Sequence, residues 1–410
     1  MLLKISPKNI LALFFLFLAF NCGCKKAKSD PGAPPEPVVS PPIVSKPPPS
    51  GLIEIGSGSG PLIIKDQSNQ NFIIKAGTYS YAQIENLRNC TIAGYDAKVE
   101  GGNVSLSAVN NVTISGLSVV NSKYRAFNIT KEANDLILKD LIISNIGDVC
   151  MVFNINKIYD GTPASYSNNI QLINIKADNI STLIGTNGSV TETGFTGLIK
   201  NFKMSDCSIS NSPELADGVY LGLAEDYEFS NNVINNVNST QGNHNGIFHV
   251  IGNGKIFNNK CTNHQGNMVR AWMCSITKPG SVEIYNNVVW NSTRYGAFEL
   301  QVPPYLKALG AFKPGTNAKV YNNTVGKLNT GLPKYFEGRL LDLYDTYSTV
   351  EVYNNLLFNN SDNIVLNKMS TDNVTVLTKN NGNIYKNSAT EAVVDLERFK
   401  SLIAGAGASR

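Results

Sequence analysis

All three histidines of the 410-residue chain fall between positions 244 and 264, in a stretch where an arginine, two acids and several aromatic rings recur at matching places. Five segments carry them: DGVYLGL from Asp217, GIFHVIG from Gly246, NMVRAWM from Asn267, GAFELQV from Gly296 and RLLDLYD from Arg339. Each holds an apolar pair two residues apart: Val219/Leu221, Phe248/Val250, Val269/Ala271, Phe298/Leu300 and Leu341/Leu343. Side chains alternate across a strand, so if the pairs face a core, the residue between them faces out. Those residues are Tyr220, His249, Arg270, Glu299 and Asp342. On consecutive coils they form one column at the surface, spaced about 4.8 Å apart. Such a column combines an imidazole that can take a proton near neutrality, a phenol that can give or take one, and a guanidinium that can neutralise developing negative charge. The loops entering these strands add His244, His264, Arg294 and Tyr295, and the strand ends add Trp272, Gln301 and Tyr344. The structural alternative for Arg270 and Glu299 is an ion pair neutralising an exposed sheet face, which would add little stability.

The elements that must position these residues announce themselves as a repeat. FSNN ends at Asn232, IFNN at Asn259, IYNN at Asn287, and VYNN at Asn323 and again at Asn355. The copies recur roughly every 30 residues, so each is one supersecondary unit of a solenoid. Fainter copies lie upstream at Thr113 to Leu117, Ile137 to Leu141, Leu172 to Ile175 and Met204 to Cys207. Apolar residues alternate over short runs broken by Asn, Gly and Ser, which is a strand pattern and not a helical one. Residues Gly246 to Asn263 divide into three short strands, with a Gly-Asn-Gly turn after the first and the Asn pair after the second. The expectation is an all-β chain forming one parallel β-helix, in which equivalent Asn side chains stack into a ladder. A β-sandwich with Asn-rich turns is disfavoured, because sandwiches do not repeat one motif in register.

With its order of strand, short turn, strand, Asn turn, strand and long variable loop, the stretch from about Leu52 to Leu396 resembles the right-handed parallel β-helix of the pectin lyase-like superfamily. The opening IIKAGTYSYAQIENLRNCTIAG (Ile73 to Gly94) is similar to the first coils of such proteins, and FKSLIAGAGA (Phe399 to Ala408) to their closing segment. The resemblance implies that a polysaccharide lies along the column. Tyr220, Trp272, Tyr295 and Tyr344 would then stack on sugar faces, and Arg270 and Arg294 would pair with uronate carboxylates. In β-elimination, Arg270 fits the carboxylate neutraliser, His249 the base that removes the C5 proton, and Tyr220 the base or the acid for the leaving oxygen. Lyases of this superfamily resembling chondroitinase B or acting on alginate pair a Lys base with an Arg and a calcium site of Asn and Glu. This column has no Lys and one Glu, so calcium is the only cofactor the resemblance suggests and no ligand set for it is legible. The Asp cluster of pectate lyases and the Asp-Asp and Gly-His-Gly marks of polygalacturonases are absent too. Two alternatives remain: a glycoside hydrolase using Glu299 and Asp342, which would need to lie about 5 to 9.5 Å apart, and a glycan-binding surface protein without catalysis.

Composition adds location. The net charge is only +4, with 16% charged residues and no basic stripe interleaved with aromatics, which argues against a nucleic-acid partner. Lys4 and Lys8 followed by the apolar run Ile10 to Phe20 read as a secretory signal over residues 1–24, too short to span a bilayer. The signal ends in a segment similar to a bacterial lipobox, with Cys24 as the expected acyl acceptor and Cys22 as the alternative; leucine is not at the usual third position before either. Residues 25–51 hold half of the chain's 18 prolines and read as an extended spacer. The expected product is a monomeric cell-envelope lipoprotein on the outer membrane, facing either the periplasm or the outside, with residues 52–410 as one β-helix domain. Cys90, Cys150, Cys207, Cys261 and Cys274, odd in number and without CxxC spacing, read as small core residues.

Overall fold

The computed structural model describes residues 51–409 apart from 241–243, 245, 310–315, 361–365, 369–373, 396 and 399. The signal segment, Cys24 and the Pro-rich linker up to residue 50 lie outside the described residues. The chain is a single right-handed parallel β-helix. Its strands pair in parallel with their counterparts one coil away, from Ile53–Ile55 to Ile384–Lys386. The repeat is in register along nearly the whole molecule. Ile92, Ile114, Leu138, Leu172, Met204, Phe229, Ile256, Ile284, Val320 and Val352 each face the next across a ladder step. All ten are buried and form one row of the core that fills the coil.

The Asn pairs explain the corner between the second and third strands. The first Asn of each pair, at positions 231, 258, 286, 322 and 354, has φ between 55° and 59°. Asn tolerates that left-handed conformation better than most side chains do, and it swings the next residue inward. The second Asn is fully buried, and its Nδ2 donates to the Oδ1 of the Asn one coil on. These steps are 2.8 Å for Asn232 to Asn259, 3.0 Å to Asn287, 3.1 Å to Asn323, 2.9 Å to Asn355 and 2.9 Å to Asn383. Each Oδ1 also accepts a backbone N–H from the neighbouring coil, so the buried corner leaves no amide there unpaired. Asn383 extends the ladder by one coil beyond the sequence repeat.

Two expectations need correction. The Gly-Asn-Gly of Gly252 to Gly254 is not a full turn but a bend inside one long strand, Gly246–Phe257, where the register with Val219–Ser230 slips. Gly252 sits at φ 137°, and a Cβ there would meet the Ala224 carbonyl oxygen at 1.8 Å, so only glycine lets the two coils approach. The parallel coils end at Lys386, short of Leu396, and an antiparallel pairing of Val394–Asp395 with Lys400–Ser401 follows. The C-terminal segment then runs back along the Asn corner. The amides of Gly407, Ala408 and Ser409 donate to Asn354 O, Thr324 Oγ1 and Asn286 Oδ1 at 2.8, 2.7 and 2.7 Å. All five described cysteines are buried, and Cys261 occupies the row of Ile234 and Val289.

Candidate active site

Strands Val219–Ser230, Gly246–Phe257, Asn267–Met273, Phe298–Gln301 and Leu341–Leu343 lie on successive coils. Their register sets Tyr220 beside His249, His249 beside Arg270, Arg270 beside Glu299 and Glu299 beside Asp342. The column therefore exists, with the flanking apolar pairs buried inside. Its exposure is not as expected. His249 is 6% exposed between Tyr220 and Trp272, and Glu299 and Asp342 are 0% exposed because the loop entering the last strand folds back over the outer face.

The loop from Asn329 to Gly338 is the main cover, and Asn329 is its hub. The Asn329 Nδ2 donates to the carbonyls of Tyr335 and Glu337, both at 2.9 Å, while its own carbonyl accepts from Lys334 Nζ at 2.6 Å. Gly338 N then donates to Asp342 Oδ2 at 3.0 Å, which takes Asp342 out of any substrate's reach. A Cβ at Gly296 would lie 2.2 Å from Arg339 O, so that glycine is what lets the covering loop settle onto the column.

Under this cover the residues separate into two groups. In the first, the His249 ring sits edge-on between Tyr220, 5.1 Å away between centroids, and Trp272, 4.5 Å away. Its Nδ1 lies 3.5 Å from Asp217 Oδ1, and its Nε2 has no hydrogen-bond partner. Burial, with the nearby Asp217 charge, pushes the Tyr220 phenol up to about 12. Tyr220 therefore keeps its proton near neutrality and is suited to be an acid, not a base.

The second group is centred on Glu299. Its Oε1 accepts from Arg270 Nε at 3.0 Å and from Gln301 Nε2, and its Oε2 accepts from Asn267 Nδ2 at 3.1 Å. His244 Nε2 lies 2.7 Å from Glu299 Oε2 and 3.6 Å from Glu337 Oε2. Arg270 also donates from Nη1 to His244 O at 2.8 Å and lies 5.4 Å over the Trp272 ring, which joins the two groups. Burial pushes the Glu299 carboxyl up, but hydrogen bonding and charge from His244 and Arg270 outweigh it and hold the group below the usual range. Burial dominates at Glu337, whose carboxyl is held above that range despite His244 and Tyr344.

The remaining expected residues are scattered. Tyr295 is buried, stacked on His244 at 4.2 Å and packed against Tyr335, so it offers no face to a sugar. His264 is 2% exposed, inside the coil in the row of Val237 and Ser292, and its Nδ1 meets Gly266 O at 3.1 Å. Burial lowers its pKa to about 4, so it is neutral and sealed from substrate. Arg294 lies over Tyr335 with Cζ 5.5 Å from the ring centre. Gln301 and Tyr344 line an open cavity of about 490 Å³ together with Lys307, Asp345 and Tyr347. Sequence reasoning missed Asp217, Glu337 and Lys307. Asp217 heads the first aligned segment two residues before Val219, and Glu337 is the only acid between Asn329 and Gly338, so both were visible as residues but not as neighbours.

Calcium, the cofactor suggested by resemblance, takes six to eight oxygen ligands. The one cluster of three His, Cys or acidic ligand atoms among the described residues is His244, Glu299 and Glu337, which offers an imidazole and two carboxylates and does not fit that requirement.

A family model described as the right handed beta helix region matches residues 192–383, which include the whole column. Among solved structures, the catalytic domain of a GH87 alpha-1,3-glucanase in complex with tetrasaccharides is similar at 11% identity and a TM-score of 0.37, covering 74% of this chain and 70% of that one. A PL6 alginate lyase in complex with trisaccharide is similar at 12% identity and a TM-score of 0.35, covering 86% of each. No curated protein matches the chain.

Proposed function

We propose that the chain is a polysaccharide-active protein of the cell envelope that cleaves an acidic, uronate-containing polymer by β-elimination. The observation that carries this reading is the setting of His249, with Asp217 beside Nδ1, two aromatic edges fixing the ring, and Nε2 unpartnered. A carboxylate beside Nδ1 favours the tautomer whose lone pair is on Nε2, the form a general base needs. In the reaction His249 Nε2 takes the C5 proton, and the freed electron pair forms the C4–C5 double bond as the bond from C4 to the bridging oxygen breaks. Tyr220 gives its proton to that oxygen, and Arg270 stabilises the charge that builds on the uronate carboxylate. The half-buried rings of Tyr220 and Trp272 form the lips of the site, and the cavity with Lys307, Tyr344 and Tyr347 continues it with a cation and aromatic faces. Incubating the purified protein with a panel of uronate polymers and following the ultraviolet absorbance of unsaturated chain ends tests it directly. New reducing ends without that absorbance would make the enzyme a hydrolase, and binding without either product would make it a glycan-binding protein.

A hydrolase is the second reading, and the observation favouring it is that the carboxyls of Glu299 and Glu337 are pushed in opposite directions. Glu299 is held by Arg270, Gln301 and Asn267, and Glu337 by Tyr344, whereas His249 Nε2 is without a partner, which places this reading behind the first.

The charged start, the apolar run Ile10 to Phe20 and the proline-rich spacer support a lipid anchor at Cys24 on the outer membrane. Cys24→Ser is expected to release the protein from membranes; retention with full lipid labelling would move the acceptor to Cys22 or remove the anchor.

A further inference from the structure

We infer that His244, Glu299 and Glu337 form a binding site for one zinc-class divalent cation, closing the long loop onto the column. The site does not depend on the lyase reading. Its ligand atoms, one from each residue, all lie within 4.8 Å of one another.

The arrangement of the outer hydrogen bonds points to a cation and not to a simple ion pair. Three of the four carboxylate oxygens are already met: Glu299 Oε1 accepts from Arg270 and Gln301, Glu299 Oε2 accepts from Asn267 Nδ2, and Glu337 Oε1 accepts from Tyr344 Oη. The second oxygen of each faces the same imidazole nitrogen, with Glu299 Oε2 at 2.7 Å and Glu337 Oε2 at 3.6 Å from His244 Nε2. Glu337 is 1% exposed and its Oε2 has no hydrogen-bond partner at all. A buried carboxylate oxygen left unpaired costs free energy, and a metal bond is one way to meet it. Outer-shell donors that orient ligating carboxylates are the usual surroundings of a protein metal site. The ring of His244 is held as well, stacked 9° from parallel on Tyr295.

The ligand chemistry selects the metal. An imidazole with two carboxylates suits zinc or a neighbouring first-row ion with a fourth position left for water, whereas calcium prefers oxygen alone and in greater number. Ligand atoms on a tetrahedral zinc lie roughly 3.3 Å apart. The His244–Glu337 separation is already close to this, and the His244–Glu299 contact has to open slightly. One ligand comes from the loop before Gly246, one from the strand Phe298–Gln301 and one from the Asn329 to Gly338 loop, so the ion would tie two loops to the coil.

The test is direct titration of the chelator-treated, full-length protein with zinc chloride by calorimetry, with calcium chloride in parallel. One zinc per chain is expected, undisplaced by excess calcium. Glu337→Gln and His244→Gln should each lower zinc affinity by at least ~10-fold, since losing a ligand must cost no less than losing an outer-shell partner. Tyr344→Phe, which removes only the hydroxyl that orients Glu337, should lower it by roughly 10-fold and serves if either other variant loses its β-sheet circular dichroism. Cobalt in place of zinc should give the visible absorption of a four-coordinate ion in the wild-type protein and not in Glu337→Gln. Absence of saturable zinc binding, zinc binding unchanged in these variants, or displacement by equimolar calcium would each overturn the site, leaving an ion-paired cluster only. None of these readouts requires polysaccharide cleavage, so the metal site and the lyase reading can fail separately.

Discussion

The outward register position that holds the candidate active site runs through the upstream half of the molecule as well, with different contents. Upstream it reads Ile63, Gln83, Ser105, Asn128, Val152 and Gly185; downstream it reads Tyr220, His249, Arg270, Glu299 and Asp342. The backbone is the same along this line, with parallel strands of one pitch. The corner changes over the same stretch. Leu117, Leu141, Ile175 and Cys207 occupy it upstream, and the hydrogen-bonded asparagines from Asn232 occupy it downstream. A parallel β-helix thus supplies geometry at every coil, and chemistry enters only where side chains change and loops lengthen enough to cover them.

The largest expected effect is on catalysis, and it should respect that boundary. His249→Ala is expected to lower the rate of polymer cleavage by ~100-fold to 10,000-fold, the usual loss for a general base. Asn128→Ala, at the same register position upstream, is expected to leave the rate unchanged. Equal activity in the two variants would remove His249 from the site. Arg270→Ala is a poorer probe, because it strips the buried Glu299 of its cation and is expected to destabilise the fold by about 3 to 5 kcal/mol.

The corner gives the next effect. Asn287→Leu imitates the upstream corner but leaves the backbone N–H of Asn259 without its acceptor and Ile256 O without its side-chain donor, while Asn259 Nδ2 keeps the carbonyls of Phe229 and Phe257. Each buried polar group left unmade costs roughly 1 to 3 kcal/mol, so a loss of about 2 kcal/mol or more is expected in urea unfolding. A wild-type midpoint would mean that apolar packing, not the ladder, holds the downstream corner.

Acid should weaken the downstream half through His264, whose row continues Ser212 and Val237. Burial keeps this imidazole neutral in the fold down to about 4, while in the unfolded chain it takes a proton near 6.5. The unfolded state therefore binds more protons between these values. The stabilisation is complete above about pH 6.5 and is lost as pH falls towards 4, amounting to about 2 kcal/mol by pH 5. Urea midpoints measured from pH 7.5 to 5 should drop more for the wild-type protein than for His264→Leu; parallel curves would show that His264 is protonated without cost.

The fold was legible because a solenoid repeats its own evidence. The Asn pairs gave the corner, and the alternation around Val219/Leu221 and its four counterparts gave the register of the column to the residue. Burial was not legible, because alternation says only that a side chain leaves the coil and not what lies over it. Asp342 and Glu299 are covered by a loop whose path depends on Asn329 bonding to residues six and eight positions on, and no local pattern encodes that closure. Glu337 reaches Glu299 and His244 for the same reason, through tertiary folding of a long insertion. His264 resembled its two neighbours in type, yet its place in the row of Val237 turned it inward.

The smallest effect tests where the two halves meet, at Cys207. The Cys207 amide donates to Asn232 Oδ1 at 3.0 Å, as each ladder Asn does to the next, while its sulfur receives the Ile175 amide at 3.4 Å and lies 3.6 Å from Leu172 O. Those are the partners a ladder Asn would use, since Asn232 Nδ2 donates to Met204 O, the position one coil on from Leu172. Cys207→Asn would thus lengthen the ladder by a step: its Oδ1 takes the Ile175 amide, and its Nδ2 reaches Leu172 O and Asn232 Oδ1. The gained hydrogen bonds offset the lost sulfur burial, and stability is expected to stay within about 1 kcal/mol of wild type. Cys207→Ala instead leaves the Ile175 amide without an acceptor and should cost about 1 to 3 kcal/mol. If thermal unfolding ranks the asparagine variant below the alanine one, the boundary at Cys207 is set by apolar packing, and the upstream coils cannot accept the downstream corner.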